Sequence, residues 1–338
     1  MNATKGINLP NDAEDTISSV SWSPIANHLT AASWDGKVRI YDVNTSTGAA
    51  RGAAMLAAEG PILDCDWAKD GSMVVAGGAD RKIHLLHLAT GQQASLGPHD
   101  APVRGTRFVD VPGCNAPIVA SGSWDKTVRF WDLRQRDPLA SIACEERVYA
   151  MDSKANLLVV ATAGRRIHLF DLKNPAAISK TLDSQLKHQT KAVAAFPDGM
   201  GWATVSIEGR CGIHAVHEEH ASTINFTFRC HRSQPDARKI TKVWSVNGVQ
   251  FHPEHKTVFS TASSDGTFTF WDRAQRTRLK EFPKADAAVT ATAFNRDGSL
   301  FAAAVGYDWS FGCEGNSRQT QTRLALYPVD AADLRKKK

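Results

Sequence analysis

One cassette recurs seven times along the 338 residues of the chain, and this repetition constrains the fold more than any other feature. Each copy has an apolar strand, a short turn, a strand of small and β-branched residues, and a turn containing Asp. An alternating strand that ends in an aromatic residue and Asp completes it. The clearest copies are residues 29–43, 118–133 and 258–272, and degenerate copies lie at 74–88, 159–172, 203–216 and 301–329.

The spacing of the cassettes predicts the architecture. The residue before the final Asp position falls at Tyr41, Leu86, Trp131, Phe170, Ala215, Trp271 and Tyr327. The first four steps, of 39 to 45 residues, match the period of a four-stranded WD-repeat blade, and the last two, of 56, require insertions near 218–242 and 306–323. The pattern therefore predicts an all-β, seven-bladed WD-repeat β-propeller.

The propeller is expected to form one domain over residues 1–338, because a single blade could not bury its own apolar faces. We expect the N-terminal extension, residues 1–15, and the basic tail, residues 331–338, to be peripheral. Closing such a ring usually requires one blade built from both chain ends. Residues before Ile17 are therefore expected to supply the outer strand of the last blade.

Sequence signals of catalysis are missing. No GxSxG, Walker, HExxH or GxGxxG motif occurs, and the six cysteines form no CxxC pair. We therefore expect no enzyme activity, no small-molecule substrate, no cofactor and no metal. No apolar run is long enough to cross a bilayer, so no membrane contact is expected. The net charge of +5 is compatible with an acidic partner or RNA.

Four residues of the third cassette are interpreted as structural. His99, Ser121, Asp125 and Trp131 match the hydrogen-bond tetrad of WD repeats, in which Asp orients His and the hydroxyl bonds the indole N–H. A buried network of this kind holds a blade together because each polar group must be satisfied.

The turns between the second and third strands are expected to share one rim of the ring. That rim carries tryptophan and basic residues, the types that contribute most binding energy at interfaces. Their shared position favours a binding face for an acidic peptide with apolar residues. The candidate partner-binding residues are Trp34, Trp124, Lys126, Arg165, Glu208 and Arg210.

Several longer strings carry a family resemblance. They are residues 34–36 (WDG), 98–103 (PHDAPV), 122–126 (GSWDK), 186–191 (LKHQTK), 206–210 (SIEGR), 225–232 (NFTFRCHR), 246–253 and 307–312 (YDWSFG). With these strings the chain resembles the nuclear-pore mRNA export factors of the Rae-one/Gle-two family. The mitotic-checkpoint propeller that binds checkpoint kinases is similar at LKHQT, SIEGR and CHR. The NFTF and DWS strings and the basic end favour the export family.

The resemblance implies a function and a partner. Such proteins are non-enzymatic adaptors that bind the GLEBS hairpin of a GLFG-repeat nucleoporin and support mRNA export, with contact to single-stranded RNA or mRNA ribonucleoprotein. It implies that Arg210 bonds a hairpin glutamate, that Trp34 and Trp124 offer apolar platforms, and that Lys126 and Arg165 steer association. The implied location is the nucleus and nuclear pore complex, at the nuclear-envelope rim, and also the cytoplasm. The alternative is a spindle-checkpoint scaffold that binds checkpoint kinases.

Overall fold

Seven antiparallel sheets of four strands each form the chain, and the prediction of a seven-bladed β-propeller is confirmed. The computed structural model describes residues 6–10, 13–316 and 321–336. Each sheet is one blade, numbered here 1 to 7 from the N-terminus. The inner strands of successive blades contact one another, and the first contacts the last, so they surround a central channel.

The inner half of each blade consists of the first strand and the second strand of its cassette. The inner strands are Ile17–Trp22, Ile62–Trp67, Val103–Val109, Val148–Lys154, Thr190–Ala195, Val246–Phe251 and Ala288–Phe294. The second strands are His28–Ser33, Met73–Gly78, Ile118–Ser123, Leu157–Thr162, Gly201–Ser206, Val258–Ser263 and Leu300–Gly306. Most second strands are buried on both faces, which explains their continuous run of small and β-branched residues.

The outer half of each blade is more exposed. The third strands are Lys37–Val43, Ile83–His87, Thr127–Asp132, Arg166–Asp171, Arg210–Ala215, Phe268–Asp272 and Arg323–Pro328. The outer strands are Ala50–Ala57, Gln93–Leu96, Ala140–Ala143, Lys180–Asp183, Phe226–Arg229, Thr277–Glu281 and Ile7–Asn8. Outer strands alternate exposed and half-buried residues, as expected for edges that have one neighbour.

The ring is closed by the N-terminal segment. Ile7–Asn8 pairs antiparallel with Arg323–Pro328 and forms the outer strand of blade 7, as predicted for residues before Ile17. The extension expected to be peripheral is therefore in part a strand of the propeller. At the other end Asp333 is buried and accepts a 2.6 Å hydrogen bond from Lys280, so the start of the tail is attached to blade 6. The last two tail residues, 337–338, lie outside the described residues.

Every inner strand contains a bulge near its start, at the second residue in blades 1 to 6 and at the third residue in blade 7. The ladder between inner and second strands shifts there in all seven blades, at Ser18, Leu63, Arg104, Tyr149, Lys191, Asn247 and Thr290. A bulge leaves one residue unpaired and redirects its side chain. The bulges thus form a ring of seven redirected residues at one end of the channel.

The insertion expected at 218–242 has two parts. A 3-10 turn, Glu218–His220, and a four-residue helix, Ala221–Ile224, precede the outer strand of blade 5. A loop over residues 230–245 follows that strand and leads to blade 6. The second insertion, expected at 306–323, contains the turn Cys313–Gly315, and residues 317–320 within it lie outside the described part of the chain. The described residues include no helix long and apolar enough to cross a bilayer.

Candidate functional site

The segment that follows the second strand has a residue in the left-handed conformation at the same position in all seven blades. Its left-handed position is Gly36, Arg81, Lys126, Arg165, Gly209, Gly266 or Trp309, with φ between 60° and 83°. Residues other than glycine are strained there, and such strain is concentrated at functional sites. We call the end of the ring that carries these turns the upper face, and the opposite end the lower face. In four blades this strained position holds a basic or aromatic residue, which lies on the upper face.

Three consecutive blades present a cation at this turn. Arg81, Lys126 and Arg165 belong to blades 2, 3 and 4, and all three are exposed. Lys126 pairs with Glu146 at 3.1 Å, and Arg165 donates to the carbonyl of Leu186 at 3.3 Å. Arg81 was absent from the predicted site. The shared turn position, visible by aligning the cassettes, is the signal that would have identified it.

Aromatic residues occupy the upper face of blades 7, 1 and 3. Trp34 stacks on Trp309 with ring centroids 4.8 Å apart and planes 19° apart. In the loop after Trp309, the hydroxyl of Tyr307 accepts from Phe311 N at 3.1 Å and donates to Gly312 O at 2.6 Å. The Phe311 side chain, which sequence reasoning did not select, is 81% exposed, and that of Trp124 is 37% exposed.

Glu208 and Arg210 are the only two predicted partner-binding residues that contact one another in the described structure. Arg210 Nε lies 3.6 Å from Glu208 Oε2, and His188 Nε2 lies 3.7 Å from the same oxygen. The other carboxylate oxygen, Oε1, is buried without a hydrogen-bond partner. The Arg210 side chain is 31% exposed. The predicted residues are thus distributed over four blades of one face rather than gathered in a pocket.

The tetrad residues of blade 3 form the expected network. His99 Nδ1 is 2.7 Å from Asp125 Oδ2, His99 Nε2 is 2.7 Å from Ser121 Oγ, and Trp131 Nε1 donates to Ser121 Oγ at 2.8 Å. Burial lowers the pKa of His99 and keeps the imidazole neutral, despite Asp125 beside it. A neutral ring donates from Nδ1 to Asp125 and accepts the Ser121 proton at Nε2. Every donor and acceptor of the tetrad that takes part in this network therefore has a hydrogen-bond partner.

The network also depends on the ionised form of Asp125. Burial by itself would raise the pKa of Asp125, but hydrogen bonds from Thr127 and His99 outweigh it and lower the pKa. A lowered pKa in the folded protein means that this contribution to stability is present at neutral pH and is lost as acid protonates the carboxylate.

Blade 6 contains a second complete tetrad that sequence reasoning missed. His231 Nδ1 is 3.0 Å from Asp265 Oδ2, its Nε2 is 2.8 Å from Thr261 Oγ1, and Trp271 Nε1 donates to Thr261 Oγ1 at 2.9 Å. His231 precedes Asp265 by 34 positions, whereas His99 precedes Asp125 by 26. The insertion causes the longer spacing, and this spacing obscured the match.

The channel holds charges that were also unexpected. Arg107 Nη1 lies 2.6 Å from Asp64 Oδ2, and its Nε lies 3.2 Å from Asp152 Oδ1. Asp64 Oδ2 also accepts from Thr106 N at 3.0 Å, and Asp152 Oδ2 accepts from Ala195 N at 2.8 Å. These carboxylates therefore bond the inner strand of the next blade. Arg107 and Asp152 line a cavity of about 480 Å³ that opens on the lower face.

The outer side of the ring has an aromatic groove between blades 5 and 6, with a volume of about 260 Å³. Phe228 lies 4.7 Å from Trp271 and 5.9 Å from Phe226, ring centroid to ring centroid. The Arg276 guanidinium stands 4.9 Å over the Phe226 ring, and Thr277 Oγ1 is buried without a partner. We call these five residues the arginine–aromatic groove. The contacts of Phe228 with Trp271 and of Arg276 with Phe226 join blades 5 and 6, so no local sequence pattern indicates them.

The fold and its turns define the class of the protein, a WD-repeat β-propeller. The family model described as "WD domain, G-beta repeat" matches residues 8–42, 54–86, 92–132 and 224–272. The chain is 50% identical to WD40 repeat protein poxJ of Penicillium oxalicum, over 98% of this chain and 96% of that protein. It is 44% identical to mRNA export factor GLE2 of Chaetomium thermophilum, over 96% and 90% respectively. It is 38% identical to protein Rae1 of Drosophila melanogaster, over 92% of each chain.

Identities at this level over nearly the full length of both chains establish the relationship. The chain belongs to the Rae1/Gle2 family of WD-repeat mRNA export factors.

Proposed function

We propose that this protein is a non-enzymatic adaptor for mRNA export that binds the GLEBS hairpin of a GLFG-repeat nucleoporin on its upper face. The observation that carries the proposal is the set of strained turns. Arg81, Lys126 and Arg165 form a cationic arc, and the stacked Trp34 and Trp309 provide an aromatic platform beside it. Such a surface complements an acidic peptide with apolar residues.

Two buried polar atoms on the upper face support the proposal that a partner covers this face. Glu208 Oε1 and Trp309 Nε1 have no hydrogen-bond partner among the described residues. Buried groups of this kind are rarely left unsatisfied in folded proteins. A docked peptide backbone could donate to the first and accept from the second. This binding would hold the protein at the nuclear-pore rim, with a further population in the nucleus and cytoplasm.

The test is calorimetric titration with the nucleoporin hairpin peptide, using the wild type and Arg210→Glu. A reversed charge opposite a hairpin glutamate is expected to cost about 2–5 kcal/mol, or at least about a thirtyfold weaker Kd. Arg296→Glu, an exposed change on the lower face, is the matched control and should leave the Kd unchanged. Unchanged binding by a folded Arg210→Glu variant would remove Arg210 from the site.

The hairpin peptide of a checkpoint kinase belongs in the same experiment. Clearly tighter binding to the nucleoporin peptide supports the export function. A preference for the kinase peptide would instead favour the spindle-checkpoint scaffold. Binding to neither peptide would contradict the adaptor proposal while leaving the propeller intact.

We further propose that single-stranded RNA contacts the arginine–aromatic groove. Single-strand binding sites combine aromatic side chains, on which bases stack, with cations for the phosphates. The groove offers Phe226, Phe228 and Trp271 for stacking and Arg276 for charge. The unpartnered hydroxyl of Thr277 could bond a base or a ribose.

Charge reversal tests the RNA proposal without disturbing the core, because Arg276 is exposed. Arg276→Glu is expected to weaken binding of a single-stranded oligonucleotide about tenfold or more and to reduce the slope of log K against log salt by about one. Fluorescence anisotropy at several salt concentrations measures both quantities. Arg296→Glu changes the net charge equally on a distant surface. An equal loss with both variants would indicate diffuse electrostatic attraction instead of a site.

A further inference from the structure

The ring of bulged residues at the upper end of the channel serves mainly to join blades. Ser18 Oγ donates to Ile62 O at 2.6 Å, and Thr290 Oγ1 donates to Ile17 O at 2.8 Å. Asn247 Nδ2 donates to Val289 O at 3.0 Å, and Arg104 Nη1 donates to Leu63 O at 3.3 Å. In each case a side chain of one blade bonds a carbonyl of the adjacent blade, which is a structural role.

Of the two cations in this ring, Lys191 is the one that makes no such bond. Its ammonium forms no hydrogen bond or ion pair with any described residue, although its side chain is partly buried in blade 5. Burial lowers the pKa of Lys191, and Arg104 lowers it further, with Asp308 opposing them. The half-buried ammonium thus lies near a second cation, and no acceptor among the described residues stabilises it.

Asp308, the carboxylate that opposes this lowering of the pKa, already has hydrogen-bond partners. Asp308 Oδ2 accepts a short hydrogen bond from Ser264 Oγ, and its Oδ1 accepts from Ser310 N at 3.1 Å. Among the described residues Arg104 donates to a backbone carbonyl alone, and burial also lowers its pKa. The upper mouth of the channel therefore holds two half-buried cations and a carboxylate whose oxygens bond elsewhere.

We infer that the upper mouth of the channel is an oxyanion-binding site in which Lys191 and Arg104 bind one carboxylate or phosphate group. An oxyanion would supply the acceptor that the Lys191 ammonium lacks, and it would relieve the repulsion between the two cations. Two sources fit this chemistry. One is free inorganic phosphate, and the other is an acidic side chain of a peptide docked across the upper face. The second source rests on the proposed hairpin binding, and the first does not.

The first arm of the test uses inorganic phosphate as the probe, followed by phosphorus NMR at constant ionic strength. The wild type is compared with Lys191→Met, Lys191→Arg and Lys154→Met, the last removing an exposed lysine at the other end of an inner strand. We expect Lys191→Met to weaken phosphate binding at least about tenfold, and Lys191→Arg and Lys154→Met to retain it. Phosphate binding that is unaffected by Lys191→Met would overturn the free-ion source.

The second arm is a double-mutant cycle with the hairpin peptide, in which each glutamate is replaced by glutamine in turn. If a docked carboxylate is the ligand, Lys191→Met weakens binding of the parent peptide about tenfold or more. The same substitution hardly changes the binding of the one peptide in which that glutamate is glutamine. Coupling in this arm or phosphate binding in the first supports the site, and the absence of both overturns it. A wild type that binds phosphate but no peptide would contradict the proposed function alone.

Stability distinguishes binding from a structural role for Lys191. Without anions, Lys191→Met should unfold at the same or a higher denaturant concentration than the wild type, because it removes a desolvated cation without a partner. A marked loss of stability in both Lys191→Met and Lys191→Arg would show that the lysine serves folding, and would overturn the inference.

Discussion

Replacing Arg107 with Met is expected to lower the free energy of unfolding by about 3–5 kcal/mol. The guanidinium lies between Asp64 and Asp152 within the channel, and its side chain is only 18% exposed. Burial alone would lower the pKa of Arg107, but the two carboxylates outweigh this effect and raise the pKa well above its ordinary value. Met fills a similar volume but leaves two poorly solvated carboxylates without a counter-ion, which is the costly way to break a buried pair. Equilibrium unfolding in urea measures the loss.

Two further variants separate the charge effect from packing. Arg107→Met combined with Asp64→Asn should recover part of the lost stability, since one isolated carboxylate is removed. Arg296→Met, on the exposed lower face, should stay within about 0.5 kcal/mol of the wild type. A change below about 1 kcal/mol for Arg107→Met would mean that water solvates the channel carboxylates adequately.

Ser121→Ala is expected to cost about 2–5 kcal/mol, although it removes one oxygen atom. That oxygen bonds both His99 Nε2 and Trp131 Nε1, and each buried group left unsatisfied costs about 1–3 kcal/mol. Thr261→Ala deletes the corresponding oxygen in blade 6. It should cost less, because Trp271 is partly exposed and water can reach its indole N–H.

The same unfolding experiment, with Ser141→Ala as an exposed control, ranks these variants. The expected order of destabilisation is Ser121→Ala, then Thr261→Ala, then Ser141→Ala. Equal values for the first two would show that solvent exposure of the tetrad does not determine its contribution.

Sequence reasoning predicted the features that repeat. The seven cassettes and their period predicted the seven blades, and the second and third strands of each blade overlap its cassette. Closure by the N-terminal segment followed from the need to build one blade from both chain ends. The candidate upper-face residues lie in the expected turns, and their binding roles stay predictions.

Features that join different blades could not be predicted in this way. The contact of Phe228 with Trp271 and the pairing of Arg107 with Asp64 connect residues about 43 positions apart. Their partners are set by the angle between neighbouring sheets, which no local pattern encodes. The bulges were not predicted either, although they break the alternation of the inner strand: the buried residues Ile17, Val20 and Trp22 are separated by three and then by two positions.

The two-residue strand that closes blade 7 determines when the ring can form. Ile7 pairs with Leu326, 319 positions later in the chain. During synthesis the first strand to leave the ribosome must therefore wait, unpaired, until the last blade has emerged. The entropic cost of joining such distant segments is small only at the end of folding, because the other blades have by then brought the two segments together. Truncation or fusion at the amino terminus would consequently disturb the final step of assembly, and the first six blades could form their sheets without it.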